Sequence, residues 1–108
     1  HPERADLKQT LARVLIQLGR SNAALIELES SAEGGKQLPE FQFLLGLALL
    51  RAEPAPENHK QRAITAFRRV LELAPNYRDA SGWGARDIRV QLQRLGGREG
   101  GARRSNGP

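Results

Sequence analysis

Leu45-Gly46-Leu47-Ala48-Leu49 stands 34 residues after Leu11-Ala12-Arg13-Val14-Leu15, and each apolar or small residue of the earlier stretch is answered by an apolar or small one in the later. A period of this length belongs to a two-helix unit that cannot bury its own apolar face and must stack on a neighbour. It predicts an all-helical array before any single residue is considered, and it turns the functional expectation from chemistry towards binding.

Working outward from the echo, five helices are expected. The first runs from about Glu3 to Leu18, with Leu7, Leu11, Val14, Leu15 and Leu18 on one face of a 3.6-residue helix. Gly19 stops it. Ser21 or Asn22 caps a second helix, which carries Ala24, Leu25, Leu28 and Ala32 and ends at Gly34-Gly35. Pro39 suits the first turn of a third, running to about Ala52. Asn58 with Gln61 reads as a capping box for a fourth, with the stripe Ala63, Ile64, Ala66, Phe67, Val70, Leu71 and Leu73, ended by Pro75. Asn76 with Asp79 opens a fifth, to about Leu95. Gly82 and Gly84 oppose that helix, and Ile88 to Leu92 also alternates like a strand; four preceding helices with no strand partner decide for helix.

Composition narrows the classes. A chain of 108 residues holds one domain with a modest core. With aromatics at only 5%, Leu, Ile, Val and Ala must build that core. No cysteine is present, which removes disulfides and thiolate metal sites. The net charge of +5 belongs to the C-terminal part: residues 1–77 hold ten Lys/Arg against nine Asp/Glu, whereas residues 78–108 hold seven Arg against three acids. The stretch 96–108, rich in Gly and Arg and without a large apolar residue, is expected to be disordered. No segment is long and apolar enough to be expected to cross a membrane.

The second half of each unit makes a resemblance specific. Ala63, Phe67 and Pro75 have the small–aromatic–proline spacing of the second helix of a tetratricopeptide repeat, and the chain resembles that family. Ala24 and Leu28 hold the matching places in the first unit, Gly19 falls at the family's turn glycine, and Leu45-Gly46 and Leu11-Ala12 match its Leu-Gly pair. Unit one is then residues 5–38, unit two 39–77, stretched by five residues before Asn58, and a half unit covers 78–95, within an overall domain of 3–95. Lys8 and Gln42 replace the family's early tryptophan, and Gly84 replaces a leucine. The resemblance implies a right-handed superhelix of antiparallel hairpins whose concave face, lined by the first helices, takes an extended peptide or a partner helix. Independently of the name, Ala12, Gly46, Ala24 and Ala63 let helices approach closely, and Leu28 and Phe67 fill the space between pairs.

On that implied face lie Gln9, Arg13 and Gln17 from unit one and Phe43, Leu47, Leu50 and Arg51 from unit two. Phe43, Leu47 and Leu50 form either an open apolar stripe for a partner or part of a central helix buried on most sides. The family's carboxylate clamp is not expected, because Phe43 and Leu47 occupy two of its places. Trp83 anchors the last helix or serves an interface, the core role being preferred. His1 and His59 have no acid or nucleophile at catalytic spacing, and the glutamates form no metal set, so neither an enzyme nor a cofactor is expected. The expected partner is a protein or peptide, or a second copy; nucleic acid is not favoured, since the basic end lacks interleaved aromatics. Two full units are fewer than the roughly three such arrays need, so something is expected to cover the open end of the stack.

Overall fold

Four small residues set the helix spacing. Ala12, Ala24 and Ala63 are fully buried, and a Cβ built on Gly46 would lie 2.6 Å from the Phe67 ring, so the backbones meet where the sequence has its smallest side chains. A computed structural model describes residues 5–79 and 82–96. Among them the chain is all helical: α1 (Ala5–Gln17), α2 (Ser21–Glu29), α3 (Ala32–Gly35), α4 (Pro39–Arg51), α5 (His59–Leu73) and α6 (Ala85–Arg94). Six helices stand where five were expected. The expected tail from 97 onward and the first residues, 1–4, lie outside the described residues.

α1 packs on α2, and α4 on α5; α4 lies against both α1 and α2, and α6 lies on α5. Gly19 ends α1 at φ +79°, with its own N–H donating to Ile16 and that of Arg20 to Leu15, the paired closure that a left-handed glycine permits. The second expected helix breaks in two. Ser30 turns its hydroxyl onto the Glu27 carbonyl at 2.7 Å, competing with the helical ladder, and α3 restarts after Ser31. Neither expected side-chain cap forms there: Ser21 is already helical, and the Asn22 Oδ1 accepts instead from the Glu53 N–H at 2.8 Å, tying the two hairpins together. Asn58 likewise makes no cap bond; it sits left-handed at φ 58°, and a turn from the His59 N–H to the Pro56 carbonyl leads into α5.

The last helix begins nine residues later than Asn76, at Ala85. The preceding segment folds back on itself through an isolated bridge between Arg78 and Gly84 and a bond from the Ala85 N–H to the Tyr77 carbonyl at 2.8 Å. The glycines that argue against a helix belong to this turn. Gly82 takes φ +97°, and Gly84 passes so near Tyr77 that a Cβ would lie 3.1 Å from its carbonyl oxygen. Asp87 then accepts from the Gly84 N–H at 2.8 Å, closing the start of α6.

The core is one cluster with α4 at its centre. Phe41, Phe43, Leu44, Leu47 and Leu49 of α4 are buried with Leu28, Phe67 and Val70 around them, and Ile88 and Leu92 of α6 complete it.

Candidate functional site

Five of the seven residues expected on the partner face come together. Arg13 and Gln17 of α1 and Phe43, Leu47 and Arg51 of α4 line one cleft of about 140 Å³, with Ile16, Leu44, Asp79 and Trp83. Gln9 and Leu50 do not line it: the Gln9 amide donates to Glu40 at 3.3 Å, and Leu50 is half-buried against the core. Arg13 is ion-paired with the same Glu40, which joins α1 to the first turn of α4.

Of the two readings of Phe43 and Leu47, the buried one holds. They are 1% and 8% exposed, as the floor of the cleft rather than its surface. The cause is the segment before α6. It lays Tyr77 and Trp83 over Phe43, with ring centroids 5.6 and 5.2 Å away, while Phe67 approaches from the other side at 6.2 Å. Trp83 is held in place by the bond from its N–H to the Asp79 carboxylate at 3.0 Å. The Tyr77 hydroxyl is buried without a hydrogen-bond partner among the described residues. Burial first, and the neighbouring Asp79 charge second, hold it well above the usual phenol range, so it stays neutral.

A second surface was missed from the sequence. Leu7, Leu11, Val14 and Leu18, which the periodicity places on one face, are 58%, 43%, 44% and 66% exposed. α1 instead buries Ala5, Ala12 and Ile16. At about 100° per residue the two sets lie roughly 150° apart around the helix, so the small residues face inward and the large aliphatics face water. The residues 34 positions on are Phe41, Leu45, Ala48 and Ala52. Phe41 and Ala48 are fully buried, Ala52 is 2% exposed and Leu45 packs partly buried against the core. The Phe41 ring lies directly on Gly35 of α3, in the preceding unit. In α4, then, this stripe is covered, with Phe41 set against α3; among the described residues the same stripe of α1 stands open. The signal lay in the 34-residue register, which pairs each residue of the row with one that is buried or partly buried.

Elsewhere, Arg78, Arg86 and Arg89 border a cleft at the start of α6. Among the described residues no group of three or more His, Cys, Asp or Glu could hold a metal ion, and no helix is long and apolar enough to cross a membrane. No family model, curated protein or solved structure matches the chain.

Proposed function

We propose that the chain is a helical-hairpin array of the tetratricopeptide type, wound as a right-handed superhelix, and that it works as a protein-interaction module receiving a helical segment on the outer face of α1. The single observation that carries this is the contrast just described: Leu7, Leu11, Val14 and Leu18 are exposed, whereas their counterparts 34 residues on are buried or partly buried, Phe41 against α3. An aliphatic row of this kind on a helix fits the apolar face of another helix. Selection of amphipathic helical peptides against the immobilised chain tests it. Binders should lose affinity for Leu11→Glu and retain it for Val90→Glu, whose site is equally exposed on the distant α6. Binders indifferent to Leu11→Glu would sink the proposal.

A second reading rests on the cleft that gathers Arg13, Gln17, Phe43, Leu47 and Arg51. Its volume suits one small apolar side chain, and its arginine rim suits an acidic segment. Binding of such a peptide should fall with Arg51→Glu and with added salt, but not with Leu11→Glu.

A further inference from the structure

The α1 stripe has the spacing of a helix seam. Leu7, Leu11, Val14 and Leu18 step by four, three and four residues, the alternation that keeps a row in line along two paired helices. It is also symmetric about its own midpoint. Turned end for end, Leu7 falls on Leu18 of a second copy, and Leu11 on Val14 of that copy. The flanks tolerate the same turn: each flank meets its own counterpart, so Lys8 falls beside Leu15 of the second copy and Thr10 beside Gln17, and no like charges meet. Lys8 is in addition ion-paired within its own chain, to Glu27 at 2.6 Å.

Other occupants from this sequence fit less well. A head-to-tail copy would have to bring α5 against α1, as α2 is brought against α4, but α6 already lies on α5 and buries Ile88 and Leu92 there. Neither residues 1–4 nor those after Gly96 include a large apolar side chain that could lie along the stripe.

We infer that the outer face of α1 is a homodimer interface, in which two copies pair antiparallel through Leu7, Leu11, Val14 and Leu18 about a two-fold axis. The inference rests on the reading of this face as a protein-binding surface, and names its occupant. A two-fold pairing uses the same patch on both copies, so assembly stops at two. α1 has 13 residues and is about 20 Å long. Two such helices bury an area at the small end of specific interfaces, where weak and transient pairing is common, so a dissociation constant on the order of 10–100 µM is the range to search.

Sedimentation equilibrium on the full chain, from well below that range to well above it, tests the pairing. The wild type and Val90→Glu should pass from one protomer mass to two; Leu11→Glu, with an unchanged circular dichroism spectrum, should stay at one. Because the chain has no cysteine, geometry can be read by oxidation. A mixture of Leu7→Cys and Leu18→Cys should cross-link to each other in preference to themselves. A wild type that remains monomeric throughout, dimers unaffected by Leu11→Glu, or self-cross-linking that outruns the mixed product each overturns the inference. The dye 8-anilinonaphthalene-1-sulfonate separates the two levels of failure. A monomeric wild type whose dye fluorescence drops with Leu11→Glu has an open apolar face that does not pair with itself; a monomeric wild type with no such drop removes the binding face as well.

Discussion

Leu11 and Leu28 belong to the same hairpin, and truncating each to alanine should have very different consequences. Leu28 is fully buried, so Leu28→Ala removes three carbons from a packed site and leaves a cavity, at a cost of about 2–5 kcal/mol. Leu11 is 43% exposed. Its truncation forfeits only the shielded part of three methylene equivalents, at about 0.8 kcal/mol each, and water fills the space; the better helix propensity of alanine returns a few tenths. The expected cost is then about 1 kcal/mol. Against a total stability of about 5–13 kcal/mol for the roughly 90 described residues, the difference between the variants is large. Urea denaturation followed by circular dichroism should place the Leu28→Ala midpoint lower than the Leu11→Ala midpoint by on the order of 1 M. The measurement belongs at the lowest workable protein concentration, where pairing of copies adds nothing to apparent stability. If Leu11→Ala proves as costly as Leu28→Ala, α1 is turned with its aliphatic row inward, and the docking face does not exist.

Two further outcomes follow from the packing. Gly46→Ala would place a methyl group 2.6 Å from the Phe67 ring, so the α4–α5 pair must part, at a cost of about 1–3 kcal/mol that a thermal melt would register; a variant as stable as wild type would mean the helices are further apart than described. Tyr77 should give the protein an alkaline limit. Its hydroxyl is held above the ordinary value of 10.0 by burial and then by Asp79, so its contribution is complete below pH 10 and is lost as pH rises towards the folded-state value. Tyr77→Phe removes a buried hydroxyl that lacks a partner, and should leave stability at pH 7 unchanged or raised by up to about 1 kcal/mol while flattening the fall above pH 10. A variant that keeps the same alkaline fall would place its source elsewhere.

Legibility in the sequence followed the scale of the physics. The helices α4 and α5 were readable almost to the residue, because Pro39 starts one, the Pro54-Ala55-Pro56 stretch separates them, and an apolar stripe marks the buried side of α5. Local competition was harder. The break at Ser30 depends on a hydroxyl choosing the Glu27 carbonyl, and the late start of α6 on Gly82 adopting a positive φ; composition alone does not decide either. Five of the seven residues expected on the partner face meet, and burial decides between the two readings of Phe43 and Leu47. Arg13, Gln17, Phe43, Leu47 and Arg51 do meet, but Tyr77 and Trp83 cover the place that a third first-helix was expected to occupy. For α1, amphipathic periodicity finds the aliphatic row but not what it faces, since periodicity gives a direction without saying what lies in it. Alanine at positions 5 and 12 was the competing signal, and close helix approach made the smaller face the buried one.

The first and last of the described helices differ in a way that bears on the proposed function. α6 turns Ile88 and Leu92 inward and presents Arg86, Arg89, Gln93 and Arg94 to water, with Val90 as its one exposed large aliphatic among the described residues. α1 does the reverse, keeping alanines inside and aliphatics outside. The exposed fractions of Leu7, Leu11, Val14 and Leu18 together amount to about two whole aliphatic side chains left in water, worth about 3–6 kcal/mol if covered. Association itself costs at least 4 kcal/mol or so, and more in most accounts. Covering the row on one copy alone therefore comes close to balance, whereas a contact that covers two rows at once has about 6–12 kcal/mol to set against a single association cost. That arithmetic favours an occupant that brings an apolar row of its own, and the midpoint symmetry of this stripe makes a second copy of the chain one that does.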